Sequence, residues 1–327
     1  MKSPSTASAP PPVTVVDITD PTGANAGVDL LDLNAVQLQS NPLRIRRVMV
    51  RLVGAAVVFQ STNLRVRTRT SVRKGFLAYG VYGPGTRGTI NGLPVRPGLM
   101  LTAQSGTAAS FVAEGGWESI AFLVPPEVIR AHLAARQREA EFHLPRDVEL
   151  LQVDPDRVRA LFEWGKLLVD AAIQQPALFR DQGQERVVAE EELLEMLLAT
   201  LRVADDLKAT RGDRISQAQS VIVKAAEDHA LAQIRERLYV TDLCKAAGVS
   251  ERTLEYAFKE TLGLTPMNYL MRVRLHRVRQ ALLAATPGST TVSAEALNWG
   301  FWHLGEFSRA YKECFGELPS ETLRRGS

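Results

Sequence analysis

Arg252, Glu255, Tyr256 and Lys259 alternate with Leu254, Ala257 and Phe258. On a helix the three apolar residues share one side by i, i+3, i+4 spacing, so the four polar ones project from the other. Arginine fits the O6/N7 edge of guanine with two parallel hydrogen bonds, and glutamate accepts from cytosine N4; each contact is worth ~1–3 kcal/mol of discrimination. Lysine is a point charge suited to phosphate. The chemistry on offer is the reading of double-stranded DNA. Arg252, Glu255 and Tyr256 are expected to touch bases, and Ser250 and Lys259 to touch phosphates.

A second set follows. Leu304, Phe307, Tyr311 and Phe315 form one apolar stripe at helical spacing, leaving His303, Gly305, Glu306 and Arg309 as outward base-contacting candidates and Lys312 for phosphate. Gly316 is placed to end this helix, and Pro319 to prevent its resumption.

The elements that must hold these residues can be read around them. Thr241 is expected to cap a short helix whose buried face holds Leu243, Ala246 and Ala247. Gly248 supplies the positive φ that ends it, Val249 fills the corner, and Ser250 caps the next helix. Two helices joined by a tight glycine turn make a helix-turn-helix unit, whose second helix enters the major groove. Residues 291–301 repeat the first helix and its turn ahead of the second set. Between the units, residues 266–283 predict a helix of ~27 Å, long enough to hold two recognition helices in successive grooves. Its expected apolar face is Met267, Leu270, Met271, Leu275, Val278, Ala281 and Leu282. Arg272 and Arg279 lie on one flank, as phosphate contacts, and Arg277 on the other; Arg274 falls within the face and calls for a neighbouring partner.

Gly300-Phe301, Phe307-Ser308-Arg309, Tyr311-Lys312 and the run from Phe315 to Ser320 resemble the C-terminal signature of AraC/XylS-type transcription regulators, over about residues 219–325. The stretch 300–307 resembles the branch containing ethanolamine-utilisation regulators. The resemblance implies bases read mainly by the first recognition helix, and an N-terminal cupin-like barrel that binds a small-molecule effector and forms a homodimer. It further implies activation of transcription through RNA polymerase. Leu304 and Gly305 replace polar residues common at those places, which weakens the case for base reading by the second helix.

The remainder agrees in texture. Alternating residues 64–70, the runs 76–82, 99–102, 109–112 and 117–124, and turn signals at 83–85, 91–92 and 95–98 predict short strands. Residues 126–133, 155–169 (capped by Asp154) and 185–207 predict helices, the last with a leucine stripe that serves either its own core or a dimer seam. Arg211-Gly212-Asp213 reads as a hinge. The expected fold is α+β multidomain: a tail over 1–13, a cupin-like β-barrel over 14–150, a helical linker over 151–212 and an all-α double helix-turn-helix domain over 213–327.

Composition limits the alternatives. A net charge of +3 permits nucleic-acid binding without arguing for it. No segment has the apolar length of a membrane span or signal peptide, and two cysteines, Cys244 and Cys314, fit helix packing in a reducing cytoplasm. No histidine lies in the strand-rich region before residue 125, so a metal-dependent cupin enzyme is disfavoured and neither metal nor cofactor is expected. No Asp or Glu occurs between Asp32 and Glu114, whereas arginines are frequent there. Arg65, Arg67 and Arg69 share one strand face and would suit a basic cavity for an anionic effector such as a carboxylate. Otherwise they form a solvated face or pair with the acidic residues 190–195. A constitutive or architectural DNA-binding protein, whose barrel only dimerises or binds protein, is the competing reading.

Overall fold

The computed structural model describes residues 10–40, 42–180, 183–236 and 238–326. Most of the expected N-terminal tail lies outside these residues, and its end is already a strand. In chain order the strands are β1 (Val13–Ile18), β2 (Leu31–Gln37), β3 (Ile45–Arg51), β4 (Ala56–Thr62), β5 (Val66–Val72), β6 (Leu77–Tyr82), β7 (Gly88–Ile90), β8 (Leu93–Pro94), β9 (Leu99–Ala103), β10 (Ala108–Ala113), β11 (Trp117–Val124), β12 (Val148–Gln152) and β13 (Asp205–Asp206). They form two antiparallel sheets, ordered β1-β3-β4-β11-β6-β9-β12-β13 and β2-β5-β10-β7-β8.

The expected closed barrel does not form; among the described residues the sheets remain separate. Alternation fixes the face each side chain takes, not which edges close on one another. Met49, Val58, Leu101 and Leu123 of the larger sheet meet Leu31, Val72 and Ala109 of the smaller in one core. The larger sheet's other face, through Val57, Phe59, Leu77 and Phe122, is covered by α1 (Pro126–Ala134), α2 (Pro155–Gln174) and α3 (Gln184–Leu201). Asp154 caps α2 as expected, accepting from the Asp156 and Arg157 N–H groups. The leucine stripe of α3 packs into this core through Leu193, Leu194, Leu197 and Leu198, not into a seam. Residues 205–206, expected to be helical, instead join the edge of the larger sheet.

The helical third comprises α4 (Arg211–Ala232), α5 (Val240–Ala247), α6 (Glu251–Leu262), α7 (Pro266–Ala284), α8 (Val292–Asn298), α9 (Leu304–Phe315) and α10 (Pro319–Gly326). The expected hinge at 211–213 is the first turn of α4. Thr210 Oγ1 accepts from the Asp213 N–H at 3.1 Å while the Asp213 carboxylate accepts from the Thr210 N–H at 2.8 Å. This reciprocal cap satisfies two orphan donors and tolerates a glycine between them. Pro319 does not simply stop α9; it opens α10, where its missing N–H costs nothing.

Helix α7 supplies two cores. Tyr269, Leu270 and Val273 pack with α4, α5 and α6, whereas Leu275, Val278 and Leu282 pack with Ala296, Phe307 and Tyr311. The first of these cores also takes in Val36, Leu38 and Val112, so the smaller sheet's outer face is docked on the helical domain. Met267 and Met271, expected inside, are exposed.

Candidate nucleic-acid interface

Gly248 has φ 67°, and its N–H and that of Val249 close the end of α5. Ser250 Oγ then accepts from the Thr253 N–H at 3.3 Å, starting α6. Ser250 is thus occupied as a cap, in addition to its expected phosphate role. The start of α5 differs from expectation: Asp242 accepts from the Tyr239 N–H at 2.9 Å, and Thr241 lies inside the helix. Ala246 is exposed, and half-buried Cys244 packs in its place.

Leu254, Ala257 and Phe258 are buried, and Arg252, Glu255, Tyr256 and Lys259 are exposed. Among the described residues no side-chain hydrogen bond or ion pair holds any of these four. Such side chains retain their full hydrogen-bonding capacity for a ligand. The second unit repeats the design. Thr291 caps α8, Gly300 at φ 82° turns the chain, and Gly316 at φ 78° ends α9. Phe307 and Tyr311 are buried; His303, Gly305, Glu306, Arg309 and Lys312 are exposed. Leu304, expected in the apolar stripe, is exposed too.

Arg274 joins the units. Its guanidinium donates to the carbonyls of Ile234 (3.1 Å) and Glu236 and lies against Gly300, where a Cβ would come within 3.3 Å. The partner expected for it is therefore backbone. Arg277 donates to Gln280 at 3.2 Å. Arg272 reaches Ser40 Oγ (3.1 Å) and Cys314 Sγ (3.6 Å), so both of its arms are engaged.

Arg279 corrects a sequence expectation. It is 5% exposed, pairs with Asp20 and with Glu317 at 2.8 Å, and stacks on Phe315 at 4.5 Å. Burial, the largest single influence, opposes its charge, but Asp20 and Tyr311 together raise its pKa. An arginine so enclosed holds protein together and does not face phosphate; helical spacing alone could not show that Asp20 comes across from the sheet domain. Cys314 is buried, which pushes its thiol up to about 11, as a packing cysteine requires.

The arginines of β5 do not create a basic cavity inside the sheet domain. Between the sheets lies an apolar cavity of about 100 Å³, lined on β5 by Val66, Thr68, Thr70 and Val72. Arg67 and Arg69, of opposite parity, face the helical domain. Arg67 pairs with Glu227 of α4 at 3.1 Å, both buried, and Tyr269 donates to the same carboxylate. Arg69 pairs with Asp228, while Arg65 pairs with Glu114 at 2.9 Å and donates to the Thr261 carbonyl. The acidic residues of α3, expected as alternative partners, are used elsewhere: Glu190 accepts from the Gly54 and Ala55 N–H groups, and Glu195 meets His132 at 2.9 Å. Further docking contacts are Arg96 with Asp213 (3.1 Å) and the Gln37 N–H donating to His276 Nε2 (3.2 Å). Sequence reasoning singled out none of Glu227, Asp228, Tyr269 and His276; the surplus of arginine on the sheet was the only signal that acid must come from elsewhere. Among the described residues, no group of three or more His, Cys, Asp or Glu could hold a metal ion, and no helix is long and apolar enough to cross a membrane.

Comparison with known proteins bears on the helical third. Residues 243–325 match the family described as a helix-turn-helix domain. A probable thc operon regulatory protein of Rhodococcus erythropolis is 42% identical over 103 residues, covering 32% of this chain and 31% of that protein. XylDLEGF operon transcriptional activator 2 of Pseudomonas putida is 38% identical over 90 residues, 28% of this chain and 57% of that protein. The chain thus spans less than two thirds of the length of these curated relatives. A solved structure of a probable AraC family transcriptional regulator from Rhodopseudomonas palustris is 40% identical, covering 32% of this chain and 96% of that one, with a TM-score of 0.31. These relatives are regulators of transcription, not enzymes. By its matched residues and the two capped units they form, the helical third is a helix-turn-helix domain similar to those of these DNA-binding transcription regulators.

Proposed function

We propose that the chain is a sequence-specific transcription activator that answers to a small-molecule effector and acts in the cytoplasm. The observation that carries this reading is the exposed set Arg252, Glu255, Tyr256 and Lys259 on a helix capped at both ends, with no hydrogen-bond or ion-pair partner among the described residues. Arg252, Glu255 and Tyr256 read bases; Lys259 and Lys312 take phosphates. His303, Glu306 and Arg309, with the backbone opening at Gly305, face the neighbouring groove. The domain division near residues 150 and 212 follows the change from sheet to helix. Exposed Leu167, Val187 and Val188 on α2 and α3 support a homodimer. Activation through RNA polymerase accords with the name of the Pseudomonas putida relative. The stretch 300–307 supports a place beside the ethanolamine-utilisation branch.

The test is to sequence genomic fragments retained by the purified protein and to footprint the consensus. A single bipartite site protected in two successive major grooves is expected. Fragments without a shared sequence, or a footprint unchanged by Arg252→Ala, would overturn the reading.

A further inference from the structure

The fold does not treat its four tryptophans alike. Trp117 is buried, Trp164 donates to Glu192 at 3.1 Å, and Trp299 lies under the Arg235 guanidinium at 4.9 Å. Trp302, by contrast, is 68% exposed, and Leu304 is 40% exposed. His303 between them is extended, with φ −107° and ψ 91°. Across an extended residue the flanking side chains share a face. Trp302 and Leu304 thus form an apolar patch at the N-terminal end of α9, continuous with the exposed Gly305, Glu306 and Arg309. A lone apolar side chain in solvent needs no explanation, but an adjoining tryptophan and leucine ask for an occupant.

The position of the patch names that occupant. In helix-turn-helix docking the first residues of the second helix meet the base edges. Phe307 and Tyr311 anchor α9 in the core shared with α7, which leaves the first turn of α9 outward. Helix α6 presents Arg252, Glu255 and Tyr256, which can exchange hydrogen bonds with bases. Leu304 and Gly305 have no side-chain group that can. What an apolar side chain distinguishes in the major groove is the C5-methyl group of thymine. Gly305 fits the same use. Its backbone is ordinary helix and a Cβ there would meet nothing within 4 Å, so packing does not demand glycine. Glycine weakens a helix, but its bare backbone lets the helix approach a ligand closely. That approach brings the short Leu304 side chain within reach of a methyl group on the groove floor.

We propose that Trp302 and Leu304 are specificity-determining residues of the second helix-turn-helix unit, reading thymine C5-methyl groups by apolar contact. The inference rests on the DNA-binding reading and gives the second half-site its base. The two units then sort bases by different chemistry: α6 by hydrogen bonds, α9 by the presence of a methyl group.

The experiment uses the full-length protein and the consensus site recovered from its genomic fragments. Each thymine of the α9 half-site is replaced in turn by deoxyuridine, which keeps every hydrogen-bonding group and lacks only the methyl. Burying one methyl group is worth about fourfold in affinity, so wild type is expected to lose about threefold to fivefold at one or two positions. In Leu304→Ala and Trp302→Ala, both surface changes, deoxyuridine is expected to cost nothing further at the position that side chain covers. A half-site without thymine, deoxyuridine tolerated at every position, or equal losses in wild type and variants would each overturn the proposal. So would variants that bind every probe as wild type does yet support less transcription by RNA polymerase in vitro, since the patch would then meet protein. Fragments without a shared sequence sink the regulator reading itself; a protected bipartite site indifferent to the methyl groups sinks this inference alone.

Discussion

Arg67 on β5 and Glu227 on α4 meet at 3.1 Å with both side chains buried, across 160 residues of sequence. The pair sits at the centre of the docking between sheet and helical domains. Around it are Arg69 with Asp228, Arg96 with Asp213 and, with the signs reversed, Asp20 with Arg279. A desolvated pair contributes little net stability over an apolar one but makes the loss of either partner expensive. The docking geometry is thus strongly specified by charge.

Arg67→Met is expected to destabilise the protein by about 3–5 kcal/mol, because Glu227 is left buried and uncompensated. Adding Glu227→Gln should recover most of that loss, since the amide oxygen still accepts from Tyr269. Urea denaturation of wild type, single and double variants measures it. A single-variant cost below about 1 kcal/mol, the level of an exposed pair, would mean that the domains do not dock this way in solution.

Arg252 and Lys259 should fail differently on DNA. Arg252→Ala is expected to relax preference at one base position by ~1–3 kcal/mol and leave others unchanged. Lys259→Ala should weaken all sequences alike and reduce the slope of log affinity against log salt by about 1. Binding to a panel of single-base variants at several salt concentrations separates the two. Identical profiles would remove the distinction between base reading and phosphate contact on α6.

Sequence pattern revealed elements wherever local chemistry decides them. Gly248, Ser250, Gly316, Asp154 and the Asn91-Gly92 turn each lie at the cap or turn anticipated, because positive φ and cap hydrogen bonds are satisfied within a few residues. What was illegible is what the second domain contributes. The alternation of residues 64–70 correctly separates two faces, yet it makes the charged face look solvated when Glu227 and Asp228 bury it. Arg279 and His276 sit on α7 among residues of every polarity, and only the approach of Asp20 and Gln37 makes them structural. Whether two sheets close into a barrel depends on strand order, which alternation does not carry.

His276 should make stability depend on pH. Burial first, then Arg272, Arg279 and Arg277, hold its pKa down to about 3 against an ordinary value of 6.5, with Asp20 opposing. Between those values the unfolded chain binds the proton more readily than the folded one, so stability is full above pH 6.5 and falls as pH drops toward 3. The slope contributed is at most about 1.4 kcal/mol per pH unit, or roughly 2 kcal/mol lost between pH 7 and pH 5. His276→Gln should flatten the urea midpoint over that range relative to wild type. Parallel curves for the two proteins would show that the ring titrates freely in the folded state.

Gly92 and Gly85 allow the docking contact to be isolated from backbone strain. They have φ 84° and 85°, so an alanine at either suffers the same left-handed penalty, about 1–2 kcal/mol. Their surroundings differ. A Cβ at Gly85 meets nothing within 4 Å, whereas one at Gly92 would stand 2.5 Å from the Ser216 carbonyl oxygen and 2.7 Å from Ser220 Cβ, both on α4. Gly92→Ala must therefore push the turn between β7 and β8 away from α4, at an overpacking cost of about 1–3 kcal/mol beyond strain. Thermal unfolding of the two variants should place Gly92→Ala clearly below Gly85→Ala. Equal losses would mean that the turn does not rest on α4 in solution.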